Sequence, residues 1–167
     1  MLRLTLIRHA AAQAARGDQR DFDRALEARG RREVSEMARR LAARQLKPTS
    51  MLTSPAVRAR DTADVLAREF GAPDRPRQDD RLYLAAPKAL MEVIQELGGQ
   101  ASHLMVVGHN PGLSEFANEL SSERSVEHLP TCGVYTAQFA IADWRELEWL
   151  SGVNPQVDFP GADLPAR

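Results

Sequence analysis

Two histidines stand where a nucleophile and a proton donor are wanted for group transfer. His9 follows Arg8 after an apolar N-terminal run, and His109 lies in Gly108-His109-Asn110-Pro111-Gly112 after a second apolar run. Between them, Ser54-Pro55 opens a segment that carries Arg58. Arginine offers forked donors matched to phosphate oxygens and keeps its charge. Helix N-termini add backbone N–H groups and a partial positive charge. One imidazole can attack phosphorus, and the other can donate to the transferring oxygens. Several cations around a dianion also favour the phosphoryl-transfer transition state, whose charge lies on its equatorial oxygens. The arginines are expected to lower the pKa of His9 and keep its attacking nitrogen unprotonated near neutral pH. Each feature alone has a bland reading: a chance Arg-His pair, a Ser-Pro helix cap, a solvated arginine, a turn histidine. Their joint order points to a phosphate site.

The elements that must position these groups follow from periodicity. Leu2, Leu4 and Leu6 alternate with Arg3, Thr5 and Ile7, the period of a buried strand. Residues 10–29 are polar without a clean period and read as a long loop, often a functional feature. Val34, Met37, Ala38 and Leu41 give a helix over about 30–45. Met51-Leu52-Thr53 is a short strand, and Ser54-Pro55 caps a helix with Ala59, Ala63, Leu66 and Phe70 inward, closed by Gly71 and Pro73. After a loop over 72–80, Arg81-Leu82-Tyr83-Leu84 reads as a short strand or extended stretch. Pro87 opens a helix with Leu90, Val93, Ile94 and Leu97 inward, closed by Gly98-Gly99. Leu104-Met105-Val106-Val107 is wholly apolar, the mark of a central strand covered on both faces. A helix with Leu113, Phe116, Ala117 and Leu120 follows, then a hairpin of Val134–Ile141 and Glu146–Leu150 turning at Asp143–Arg145. The expected fold is α/β, a single three-layer αβα sandwich with a mostly parallel sheet and an antiparallel edge. The domain is expected over 1–150, with 151–167 a loose tail. In such sheets ligands bind outside the carboxyl ends of the strands, where Arg8-His9, Ser54 and Gly108-His109 stand.

Composition bounds the classes. The 167 residues fit one domain, and 43% apolar with 27% charged residues is the mix of a soluble globule. Lys+Arg of 22 against Asp+Glu of 23 argues against a general nucleic-acid binder. A single cysteine, Cys132, rules out an internal disulfide and suits a reducing cytosol. No apolar run approaches the roughly 18 residues of a membrane span, and Arg3 breaks the N-terminal run that a leader would need. A cytoplasmic protein is expected. The four histidines lack metal-ligand spacing, so neither metal nor cofactor is expected.

The set Leu6-Ile7-Arg8-His9-Ala10, Thr53-Ser54-Pro55 with Arg58-Ala59 and Thr62-Ala63, and Val107-Gly108-His109-Asn110-Pro111 resembles the histidine phosphatase, or phosphoglycerate mutase-like, superfamily. The resemblance implies that His9 is the phosphorylated nucleophile, with Arg8, Arg58 and His109 completing the phosphate pocket. Larger members carry an inserted lid. Here 50 residues separate Arg58 from His109, and they are used up by a helix tail, a loop and a helix, so an open groove without a lid insertion is expected. Asp21-Phe22-Asp23-Arg24-Ala25-Leu26 followed by Gly30 is similar to SixA-type phosphohistidine phosphatases. That makes Arg24 a candidate phosphate contact and Asp21 a candidate acid, the alternative being that Asp21, Asp23 and Arg24 are solvated loop charges; Asn110, next to His109, is a further candidate substrate contact. Ala10 stands where the signature has Gly, and Ala11, Ala12, Ala14 and Ala15 stand where phosphomonoesterases of the family place Thr or Asn. The usual glutamate acid is missing, and Asp79 and Asp80 read as solvated charges.

An alkoxide leaving group needs a proton in the transition state, whereas imidazole leaves readily from a P–N bond. The missing acid and the open groove therefore point to a histidine-phosphorylated protein, such as a phosphotransfer domain, with phosphate as product. A small-molecule phosphomonoesterase and a non-catalytic phosphoprotein-binding module are the competing readings. His103 and His128 are expected at the surface, Cys132 as a partly buried structural residue, and Trp144 and Trp149 as packing around the last hairpin. Arg29-Gly30-Arg31-Arg32 reads as a solvated helix start that could also dock an acidic partner.

Overall fold

Strand β1 (Leu2–Arg8) sends alternate side chains to opposite faces of the sheet, and both faces are buried. Leu4 and Leu6 enter one apolar cluster and Ile7 the other. Strand β4 (His103–Gly108) does the same, with Leu104 and Val106 on one side and Met105 and Val107 on the other. This is why its core is apolar without alternation. A computed structural model describes residues 1–72, 74–123 and 126–162 of the chain.

The remaining elements are α1 (Ala28–Ala43), β2 (Ser50–Thr53), α2 (Val57–Phe70), β3 (Arg77–Gln78), α3 (Pro87–Leu97), α4 (Gly112–Leu120), β5 (Val134–Phe139) and β6 (Gly152–Asp158). The sheet order is β3-β2-β4-β1-β5-β6. Strands β1, β2, β3 and β4 are parallel, and β5 pairs antiparallel with β1 and β6. Val34, Met37 and Leu41 of α1 pack with Ala63 and Leu66 of α2 on one face. Leu90 and Ile94 of α3 pack with Phe116 and Leu120 of α4 on the other. The result is the expected three-layer αβα sandwich, and the described residues between α2 and β4 form β3, a 3-10 turn and α3.

Several local expectations change. Trp144–Glu146 forms a 3-10 turn whose first N–H groups are capped by Asp143, and the sixth strand lies at Gly152–Asp158 rather than 146–150. Trp144 and Leu147 are pulled into the α3 side of the core, which removes them from any hairpin register. Part of the segment expected as a loose tail is thus an edge strand. Asp158, itself buried, anchors it through a 2.5 Å ion pair with Arg40 of α1. Residues 163–167 lie outside the described residues. Trp149 packs edge-on against Phe116 but is 42% exposed. Gly71 closes α2 in the left-handed conformation at φ 66°, while Pro73 lies outside the described residues. The stretch expected as extended at 81–84 contains a 3-10 turn at Asp80–Leu82, capped by Asp79, which is paired with Arg81 rather than simply solvated. Cys132 is fully buried. No described helix is long and apolar enough to cross a membrane.

Candidate active site

Strands β2, β4 and β1 are neighbours, so their carboxyl ends lie side by side at the usual spacing of about 4.8 Å. The ladder continues one residue past the strands. His9 N–H donates to Gly108 O and Ser54 N–H to Val107 O, both at 3.0 Å. His9, Ser54 and His109 therefore emerge together, and the two imidazole centroids are 5.2 Å apart. Arg58, in the first turn of α2, is 3% exposed and donates from Nε to His9 Nε2 at 3.1 Å. Arg8 donates from Nη1 to Leu129 O at 3.0 Å and to His128 Nε2 at 3.2 Å, and its charge acts on both imidazoles. The structure thus brings His9, Arg8, Arg58 and His109 into one cationic cup.

The tautomer of His9 follows from its partners. The carbonyl of Ala10, 2.8 Å from Nδ1, can only accept, so Nδ1 carries the proton. Arg58 Nε–H can only donate, so Nε2 carries the lone pair. The ring is neutral because burial, and then the charges of Arg58, Arg8 and Arg24, pull its pKa down to about 4. The arginines act in the expected direction, but burial is the larger cause. His109 is pulled to about 3, again by burial first and then by His9 and Arg58. Its Nε2 lies 2.7 Å from Ser54 Oγ. Arg8 Nε and His109 Nδ1 are buried and have no hydrogen-bond partner among the described residues. A buried guanidinium donor of this kind fits an anion as partner, and His109 Nδ1 joins it in the tautomer that carries its proton there.

Asp21 is not placed to act as an acid. Partial burial raises its pKa, but hydrogen bonds from Tyr83, Arg24 and Arg58 outweigh this and hold the carboxyl well below the usual range. Arg58 Nη2 donates to Asp21 Oδ2 at 2.9 Å, and Arg58 Nη1 donates to the Asp21 carbonyl at 2.7 Å. Arg24 donates to Asp21 Oδ1 at 2.8 Å and from Nε to Gln13 O at 2.8 Å. These two are therefore paired with each other rather than solvated singly, whereas Asp23 pairs with exposed Arg20. The Asn110 side chain turns to the neighbouring loop and helix: it donates to Leu129 O at 2.8 Å and accepts from Ser114 Oγ at 2.8 Å. It braces the loop behind Arg8. Both imidazoles are nearly buried, with His9 8% and His109 3% exposed.

Sequence reasoning missed several supporting residues. Ser54 contacts His109 instead of only capping α2, whose N-cap is Ala56. Thr62 Oγ1 accepts from Ala10 N–H and donates to Arg58 O, tying the strand end that carries His9 to α2. Buried Glu33 accepts from Ala11 N–H and from Thr131 Oγ1. Tyr83 donates to Asp21 and stands edge-on to His109. His103, expected at the surface, is buried and bonded to Thr5. Exposed His128 touches Arg8. Ser54 and Thr62 had a cue, their places beside Arg58 in the quoted motif. Among the described residues no cluster of three or more His, Cys, Asp or Glu is arranged to hold a metal.

Residues 4–83 match the family model of the histidine phosphatase superfamily, branch 1. An uncharacterised protein of Mycobacterium tuberculosis is 35% identical over 137 residues, covering 77% of this chain and 84% of that one. The chain belongs to the histidine phosphatase superfamily. Among solved structures, a chain from Agrobacterium tumefaciens proposed to be the phosphohistidine phosphatase SixA superposes with a TM-score of 0.78 at 26% identity, covering 93% of this chain and 97% of that one. A mycobacterial glucosyl-3-phosphoglycerate phosphatase shares the fold at a TM-score of 0.65 and 18% identity, covering 95% and 98%. Family and geometry together support phosphatase chemistry.

Proposed function

We propose that the protein removes phosphate from phosphohistidine in a partner protein, such as a phosphotransfer domain, through a phosphorylated His9. The observation that carries this reading is the fixed lone pair of His9 Nε2 inside the cationic cup, with Asp21 held ionised beside it. In the first step Nε2 attacks phosphorus, the P–N bond of the substrate breaks, and the departing imidazole takes a proton from solvent. Arg58 Nε must first release Nε2, and the incoming phosphoryl oxygens offer it a stronger, charged acceptor. Arg8, Arg58 and His109 Nδ1 then hold the equatorial oxygens; this role requires the Nδ1–H tautomer of His109, in which its Nε2 accepts from the Ser54 hydroxyl 2.7 Å away. Arg24 is an outer contact for the same charge. In the second step water attacks phosphorus, the bond to Nε2 breaks, and phosphate leaves.

Asp21, the carboxyl held ionised beside the cup, has no proton to give an alkoxide, which favours a P–N over a P–O substrate. The likeness to the Agrobacterium chain supports the same choice. The fold shared with the glucosyl-3-phosphoglycerate phosphatase is what favours the second reading, a small-molecule phosphomonoesterase. A paired assay separates them. Release of label from a histidine-phosphorylated phosphotransfer domain, with slow turnover of sugar and nucleotide phosphates, is expected. An ester turned over at a kcat/KM of about 10⁴ per molar per second or more, without release from phosphohistidine, would overturn the proposal. Binding of the phosphorylated domain with no turnover would identify a binding module instead.

A further inference from the structure

We infer that Tyr83 is a positioning residue for phosphoryl transfer: it holds Asp21, and through Asp21 the fork of Arg58, over His9. Tyr83 O–H donates to Asp21 Oδ2 at 2.7 Å, and the same oxygen accepts from Arg58 Nη2 at 2.9 Å. The ring stands edge-on to His109 at 5.4 Å and to Phe22 at 5.1 Å. One side chain therefore touches an imidazole of the cup and the carboxylate that orients its arginine.

The two ends of this contact are anchored differently. Asp21 belongs to a 3-10 turn, Asp21–Asp23, with no buried residue, inside the long polar segment between β1 and α1. Its place is set by side-chain contacts. Tyr83 follows Leu82, which is fully buried, and precedes Ala85, which is nearly so. The Ala85 carbonyl lies so close to Gly112 that a Cβ there would overlap it, fixing this segment to the start of α4 just after His109. Tyr83 is thus a tie from the core to the Asp21 loop that does not run through the arginine itself. Without its hydroxyl, the Asp21 carboxylate keeps, among the described residues, Arg24 and Arg58, the group it has to orient. A misplacement of order 1 Å near reacting atoms costs up to about 10²-fold in rate.

The inference rests on the reading that Arg58 acts on the phosphoryl group, whichever molecule carries it. The test compares wild type, Tyr83→Phe, Asp21→Asn and the double variant on phosphoramidate and on a histidine-phosphorylated domain. Tyr83→Phe is expected to lower kcat/KM about 10-fold on both substrates, chiefly through kcat, with Tm nearly unchanged. Because the hydroxyl acts through Asp21, the double variant is expected to match Asp21→Asn rather than multiply the two losses. Tungstate affinity should fall in the same order. Wild-type rates for Tyr83→Phe, or independent losses that multiply, would overturn the inference while leaving the phosphatase reading intact. A wild-type enzyme silent on both substrates would overturn that reading and this inference with it.

Discussion

His9 can attack only as the neutral ring with its lone pair on Nε2, and the structure assigns that state to two local causes: burial and adjacent guanidinium charge. Its ring titration followed by NMR should therefore have a midpoint near 4, well below the ordinary value of 6.5. In Arg58→Ala the midpoint should move up, because a positive charge is removed and water gains access. The same variant should lose at least about 10²-fold in rate, since one preorganised charge on the transition state is gone. A near-normal rate would show that Arg58 does not meet the phosphoryl group. The four cup residues were legible in the sequence because Arg8, His9 and His109 sit at or just past strand ends and Arg58 in the first turn of the helix after one, where fold class dictates convergence. Asp21 was legible as a candidate but not in its role. Only its three hydrogen-bond partners, up to 62 residues away, reveal a carboxylate held ionised.

At the level of elements, close backbone approaches carry the geometry. A Cβ on Gly30 would overlap the Ala11 carbonyl, so α1 starts against the segment just after His9. Glu33, one turn later, caps the Ala11 N–H and reaches Thr131 on the opposite loop. Gly112 plays the corresponding part for α4 and the Tyr83 segment. Gly112→Ala should push Ala85 away from α4, loosen the edge contact between Tyr83 and His109, and lower kcat while the sheet stays folded. Circular dichroism, melting and kinetics on one sample check this, and an unchanged kcat with a folded sheet would show that the segment is not held from α4. Such approaches leave little trace in a single sequence, where a helix-initial Gly reads only as a boundary. The edge strand was hidden for another reason. Gly152 to Asp158 carries Asn, Pro and Gln, tolerated at a sheet edge, and Asp158 is held there by Arg40, 118 residues away.

Across the whole molecule, three buried histidines couple stability to pH. His9, His103 and His109 have folded-state pKa values of about 4, 4 and 3 against 6.5 when unfolded. Between pH 4 and 6.5 the unfolded chain binds more protons, so stability rises with pH there and levels off above 6.5. His103 lies at the amino ends of the strands, remote from the cup. Its Nδ1 donates to Lys47 O at 3.0 Å and its Nε2 accepts from Thr5 Oγ1 at 2.8 Å. Replacing it with Gln should remove roughly 2–3 kcal/mol of the pH-dependent change, read from urea unfolding at pH 4.5 and 7.5, without altering catalysis. An unchanged pH slope would place the proton uptake elsewhere. Fold class and core were readable because α/β periodicity is strong and both sheet faces are apolar. The buried polar network of Thr5, His103 and Thr136 was not, because a histidine beside Ser102 gives no local sign of burial.

The central claim is that His9 itself accepts the phosphoryl group. Rapid quench of the enzyme with a labelled, histidine-phosphorylated domain, followed by mass spectrometry under alkaline conditions, tests it most directly. Phosphate is expected on the peptide containing His9, rising and decaying at rates consistent with turnover, and absent in His9→Ala. Phosphate on His109, or full turnover by His9→Ala, would contradict the account.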